Sequence, residues 1–199
     1  ESDLIVQLGD WMLEQACRML VRPEFVQQGW RLSVNVSWRQ FRQPDVVDKL
    51  KRTLAATGAD PRRLTLEVTE SVVMRDVDEA RERMAELQLL GVEMGLDDFG
   101  TGYSSLAYLQ RLPFRELKID KSFVQDCHTS PGNAAMVEAI LLLARRLRLR
   151  VVAEGVETEE QAGTLRAWNQ DVLFQGYHYG RPLPAVEWVD LQLGAPAGV

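Results

Sequence analysis

Asp97 and Asp98 stand side by side after the apolar run Val92-Glu-Met-Gly-Leu96 and lead into Phe99-Gly-Thr-Gly-Tyr-Ser-Ser105. Two adjacent carboxylates repel unless a cation or a proton separates them. The glycines that follow let the backbone turn sharply and approach a ligand closely. The chemistry on offer is metal binding. A solvated turn is the alternative, since Asp and Gly also populate turns.

Other polar side chains stand at comparable places, each with a plain structural alternative. Asn35, in Val34-Asn-Val-Ser37, is a neutral oxygen ligand or a helix cap. Glu67 lies between Leu66 and Val68; a lone charge on a strand covered on both faces needs a partner. Lys118 and Asp120 alternate with Leu117 and Ile119, as a catalytic pair or a buried salt bridge would. Glu154 and Glu157 flank Gly155-Val156, where one can serve as ligand and the other meet a helix dipole. Gln175 precedes Gly176-Tyr177 and could be a turn residue.

Taken together, the oxygens of Asn35, Glu67, Asp97, Asp98 and Glu154 form a hard ligand set without His or Cys. That set suits Mg²⁺ or Mn²⁺ rather than zinc. Asp97 or its neighbour could bridge two ions about 3.5–4 Å apart, the arrangement used for in-line displacement at phosphorus. Lys118 could orient the attacking water or stabilise the transition state. The two histidines, His128 and His178, fall away from strand ends. We read His128 as a surface loop residue and His178 as pocket lining.

Strands alternating with helices must position these groups. Met12, Ala16, Met19 and Leu20 recur at helical spacing, and Leu32–Val36 follows as a strand. A helix near Val46–Thr57, a strand Leu64–Val68, a charged helix near Val77–Leu90 and the strand into Asp97 come next. Then come a short helix from Ser104, the strand Leu117–Asp120, a long helix near Ala134–Leu147 and the strand Arg150–Ala153. A helix around Glu159–Trp168, the strand Asp171–Phe174 and a frayed tail from Leu193 end the chain. Such alternation implies parallel βαβ units. Candidate groups at the ends of six strands favour a closed (β/α)8 barrel, whose strand ends share one mouth, over an open sheet with a single switch point. About six units are present where a full barrel has eight strands in about 250 residues. The expectation is one domain over 1–199, N-terminally incomplete, with roughly two first strands absent before Glu1. Exposed sheet edges would then make this stretch fold poorly alone.

With 46% hydrophobic and 26% charged residues, the 199-residue chain can bury one sizeable core. The net charge of −6, without a Lys/Arg stripe, argues against a binder of nucleic acid polymers. Cys17 falls in an apolar-periodic helix and Cys127 in a polar turn, which we read as free thiols in a reducing compartment. No signal peptide and no apolar run of membrane-spanning length are present, so the expected location is cytoplasmic, without membrane contact.

Asn35-Val-Ser37, Leu66-Glu-Val-Thr-Glu70, Leu96–Ser105, Leu117-Lys-Ile-Asp120, Val152-Ala-Glu-Gly-Val-Glu157, Gln175-Gly-Tyr177 and Arg181-Pro182 resemble the EAL-domain family of bacterial cyclic di-GMP phosphodiesterases. The resemblance implies a TIM-like barrel that hydrolyses cyclic di-GMP to linear pGpG with Mg²⁺ or Mn²⁺. It implies metal-site roles for Asn35, Glu67, Asp97, Asp98 and Glu154, and places Lys118 near the nucleophilic water. Thr69, Asp120, Gln175, Tyr177 and Pro182 match positions that touch substrate or support the site. It also implies that Asp98–Ser105 is a mobile loop coupling dimerisation to metal binding, anchored by Glu157. A homodimer and an upstream sensory or diguanylate cyclase-like domain follow from the same likeness.

The chain departs from the family in three respects. The Glu-Ala-Leu signature, with its metal-ligating Glu and phosphate-contacting Arg, is not in the sequence. Arg148 stands where the family usually has Gly, and Trp38 where it often has a small residue. The alternatives are a cyclic di-GMP receptor that does not hydrolyse its ligand, and an unrelated metal-dependent barrel of the enolase type.

Overall fold

A computed structural model describes residues 3–73, 76–101 and 106–194. Helix α1 (Leu4–Leu20) buries Leu13, Ala16, Cys17 and Leu20, the stripe of a helix packed on one side. Helix α2 (Pro23–Gln28) leads to β1 (Leu32–Asn35), followed by α3 (Trp38–Phe41) and α4 (Val46–Thr57). Then come β2 (Leu64–Thr69), α5 (Glu70–Val73), α6 (Val77–Leu89), β3 (Glu93–Phe99) and α7 (Leu106–Arg111). Strand β4 (Glu116–Ile119) is followed by α8 (Lys121–Val124), α9 (Pro131–Leu147), β5 (Arg150–Glu154), α10 (Glu159–Trp168), β6 (Leu173–Gln175) and α11 (Ala185–Gln192).

Local chemistry explains several boundaries. Ser130 caps α9 by accepting from the Asn133 amide, and Pro131 sits at its first position. The helix therefore starts ahead of the apolar repeat that marks it from Ala134. Thr158 and Gln161 form a reciprocal capping box at α10. The short helices α2, α3, α5 and α8 carry too few residues for periodicity to reveal them. The expected helix from Ser104 is α7, and Ser104 itself lies outside the described residues.

The six strands are parallel and ordered β1-β2-β3-β4-β5-β6. Strands β2 and β4 are buried almost throughout, as helix-covered parallel strands should be. The sheet is an α/β half-barrel with β1 and β6 as its edges, matching the six units counted from sequence. Helix α11, after β6, places Trp188 4.8 Å from Trp30 and 6.1 Å from Phe25, next to the start of β1. This aromatic cluster ties the two ends of the fold together. Beside it, Arg63 donates to the carbonyls of Leu20 (3.2 Å), Phe25 and Trp30. Cys17 and Cys127 are unpaired. Cys127 lies in the expected turn between exposed polar neighbours, but its side chain is buried, and burial pushes its thiol pKa up.

Candidate active site

Register sets several candidate groups side by side. Asn35 lies opposite Glu67, Thr69 opposite Asp97 and Glu154 opposite Gln175. Side chains alternate between the two faces of a strand, so neighbours such as Asp97 and Asp98 should diverge. The structure shows why they do not. The β3–β4 register shifts between Leu96 and Phe99, and Asp98 adopts a left-handed backbone with φ 55°. Such irregularities re-aim side chains beside functional sites, and Asp tolerates that backbone better than most residues. The result is a group formed by Asp97, Asp98 and Glu154 whose ligand oxygens all lie within 4.8 Å of one another.

Lys118 reaches into the same space and is 3% exposed. Its ammonium lies 2.6 Å from Glu154 Oε1, 2.9 Å from Glu67 Oε2 and 3.2 Å from Asp97 Oδ1. An ammonium has three N–H donors, and each has a carboxylate within reach. Burial alone would pull the Lys118 pKa down, but the hydrogen bonds to Glu154 and Glu67 drive it well above the ordinary lysine value. Burial, aided by the charges of Asp97 and Glu67, raises the Glu154 carboxyl against the opposing pull of Lys118. Asp98 is also raised, by burial and then by the charges of Asp97 and Asp120. Glu67, Asp97, Asp98 and Glu154 against Lys118 leave a formal excess of three negative charges when all are ionised. An all-oxygen donor set with unneutralised charge fits hard divalent cations.

The remaining candidates occupy varied settings. Asn35 is exposed on β1 and lines a cavity of about 280 Å³ with Ile5, Leu8 and Met12 of α1. Its capping alternative falls to Ser37, which caps α3. Thr69 pairs with the Ser71 hydroxyl at 3.0 Å. Asp120 caps α8, accepting from the Ser122 amide at 2.9 Å. Gln175 is exposed at the end of β6 and its carbonyl accepts from the Val156 amide. Tyr177 is exposed with the Arg181 guanidinium 4.9 Å above its ring, and Pro182 is also exposed. Glu157 is exposed, its amide donating to Gln161. Of the segment it was expected to anchor, 102–105 lie outside the described residues. His128 is on the surface, as expected; His178 is exposed and meets Glu159 at 3.1 Å.

Gly176 explains how the chain after β6 comes so close to β5. A Cβ there would stand 2.1 Å from the Val156 carbonyl oxygen, so no other residue fits. Sequence reading did not mark Glu93, Glu116 and Arg150, which form ion pairs at the opposite end of the strands. Their signal is distributed over three strands and needs the register to be seen.

A parallel α/β half-barrel with carboxylates and a lysine converging at its strand ends defines a TIM-barrel-type scaffold with its candidate site at the C-terminal face. The EAL domain family profile matches residues 1–182, and the chain belongs to that family. It is 45% identical over 93% of its length to the bifunctional diguanylate cyclase/cyclic di-GMP phosphodiesterase MucR of Pseudomonas aeruginosa, covering 27% of that protein. It is 42% identical over 92% of its length to the cyclic di-GMP phosphodiesterase NbdA of the same organism, covering 23% of it. The chain thus spans about a quarter of the length of these curated relatives. Among solved structures, the MucR phosphodiesterase in complex with c-di-GMP superposes with a TM-score of 0.85 at 43% identity, over 93% of this chain and 75% of that one. The Klebsiella pneumoniae BlrP1 manganese/cyclic di-GMP complex superposes with a TM-score of 0.78 at 31% identity, over 90% of this chain and 44% of that one.

Proposed function

We propose that this chain is the catalytic part of a phosphodiesterase that hydrolyses cyclic di-GMP to linear pGpG with two divalent cations, Mg²⁺ or Mn²⁺. One observation carries the reading: Asp97, Asp98 and Glu154 converge beside the buried Lys118 ammonium. Asp97, Asp98 and Glu154, with Asn35 and Glu67 on the adjoining strands, would hold the cations. Bound cations would supply Lewis-acid polarisation of the phosphodiester and acidify a water. Charge supports two ions: two dications exceed the cluster's three excess negative charges and leave the mouth attractive to a phosphodiester. Lys118, held protonated by its carboxylates, offers N–H donors toward charge that develops on phosphorus-bound oxygens. Thr69, opposite Asp97 in the ladder, and Asp120, just after β4, belong to the surroundings of the cluster, and Gln175, Tyr177 and Pro182 contact the nucleotide.

The same reading includes a homodimer, a partner domain in the same polypeptide, and further strands pairing with the free edges of β1 and β6 to close the barrel. It sets the protein in the reducing cytoplasm, supported by the buried free thiols Cys17 and Cys127; no described helix is long and apolar enough to cross a membrane. Incubation of the protein with cyclic di-GMP and Mn²⁺, resolved by chromatography, should yield pGpG, and Asp97→Ala should abolish it. Tight binding of cyclic di-GMP without pGpG would replace this reading with that of a receptor.

A further inference from the structure

Toward the N-terminal ends of the strands, beneath the carboxylates, lies a second charged group that the proposed chemistry leaves unused. Glu116 is buried on β4 two residues before Lys118, so both side chains leave the strand on the same side. Its carboxylate accepts from Arg150 Nε at 3.2 Å, and Arg150 also meets Glu93, which Arg31 shares. Gly95 leaves the space that two acids occupy: a Cβ there would stand 3.4 Å from Glu67 Cγ and 3.6 Å from Glu116 Oε1. Two strand residues span about 6.6 Å, within the reach of a lysine side chain. Lys118 thus has a competing acceptor below it. Among the described residues no ion pair joins Lys118 to Glu116; Arg150 holds that carboxylate instead.

We propose that Arg150 is a positioning residue: by pairing with buried Glu116, it leaves the Lys118 ammonium to Glu67, Asp97 and Glu154 at the mouth. A buried carboxylate stripped of its partner must be neutralised or find another donor, and Lys118 stands two residues further along the same face of β4. The kinetic consequence rests on the phosphodiesterase reading; the geometric one does not.

The test uses Arg150→Met, Glu116→Gln and the double variant, each assayed for cyclic di-GMP hydrolysis with Mn²⁺ and each crystallised. Arg150→Met should lower kcat by about 10²-fold, the scale of a 1 Å misplacement, with KM little changed and with Lys118 Nζ bonded to Glu116 in its crystal structure. Glu116→Gln should keep the wild-type kcat, and the double variant should match it because the competing charge is gone. A merely structural pair would show no such rescue. A folded double variant as slow as Arg150→Met, an Arg150→Met with wild-type kcat, or a slow Glu116→Gln overturns the proposal. Should Arg150→Met not fold, equal kcat in Glu116→Gln and the double variant supports it and a loss in the double variant overturns it. Wild-type protein without hydrolysis would refute the phosphodiesterase reading instead. The crystal structure of Arg150→Met would then decide alone, and Lys118 still among Glu67, Asp97 and Glu154 would overturn the positioning role.

Discussion

Replacing Lys118 by Met removes the one ammonium that Glu67, Asp97 and Glu154 share while keeping much of the side-chain volume. Side chains of Lys118 and Glu67 are 4% and 6% exposed, so water cannot take over the lost contacts without rearrangement. Removing one partner of a buried pair costs about 3–5 kcal/mol. Against a total stability of about 5–15 kcal/mol, that is a large fraction. The loss should be greater at pH 8 than at pH 5.

The pH dependence has a definite sign. Burial already raises Glu154 in the wild-type protein, and without Lys118 it should rise further. A carboxyl with a raised folded-state pKa binds more protons folded than unfolded between the two values. Its stability contribution is therefore complete below the unfolded-state pKa and is lost as pH climbs through the folded-state one. Each pH unit below that raised pKa restores about 1.4 kcal/mol per proton taken up, so Lys118→Met should approach wild type at pH 5. Mn²⁺ offers a second rescue, since a ligand at 100 times its Kd stabilises by about 2.7 kcal/mol. Urea unfolding at pH 5 and pH 8, with and without Mn²⁺, measures all of this. Equal midpoints and slopes for variant and wild type at pH 8, with no larger Mn²⁺ effect in the variant, would refute Lys118 as the internal counter-ion.

Other perturbations separate scaffold from chemistry. Asp98→Asn keeps a residue that tolerates φ 55° but removes a charge opposed by burial, Asp97 and Asp120. Calorimetry should show Mn²⁺ affinity down by at least about tenfold, the scale for losing even an outer-shell partner, with the melting temperature at pH 8 no lower than wild type. Gly176→Ala drives a methyl into the Val156 backbone and should destabilise by at least about 3 kcal/mol, the upper range for overpacking; an unshifted thermal melt contradicts that contact. Arg63→Met strips the carbonyls of Leu20, Phe25 and Trp30 of their donor and should cost about 2–4 kcal/mol. Its kcat per folded molecule should be unchanged, because Arg63 pairs with groups of α1, α2 and the segment before β1 rather than with the carboxylate cluster.

Strand order and the shared sheet end of Asn35, Glu67, Asp97, Lys118, Glu154 and Gln175 were legible from sequence because parallel strands signal themselves through short apolar runs. Each run's last polar residue marks the same end of the sheet. Strand β6 was placed earlier than observed, since Asp171-Val-Leu-Phe174 is the apolar run but the ladder with β5 holds Leu173–Gln175. Pairing across strands, not hydrophobicity, chose those residues. For the same reason the Arg31–Glu93–Arg150–Glu116 chain was invisible: its members lie on separate segments, and only the register that sets Glu116 opposite Arg150 makes them partners.

The Asp97-Asp98 pair shows where pattern reading reaches its physical limit. Alternation correctly puts Glu67, Asp97, Lys118 and Glu154 in one interior, but by the same rule it turns Asp98 away. Two local departures overcome the rule: the register shift after Leu96 and the left-handed backbone at Asp98. Neither is stable by preference, since a left-handed L-residue costs about 1–2 kcal/mol and crowding Asp98 against Asp97 raises its pKa further. Such strain persists where the surroundings over-determine it. Here β2 and β4 clamp β3 on both sides, and Lys118 draws Asp97 inward. The half-barrel thus holds three acids within 4.8 Å of one another, against their mutual repulsion, ready for a cation to relieve.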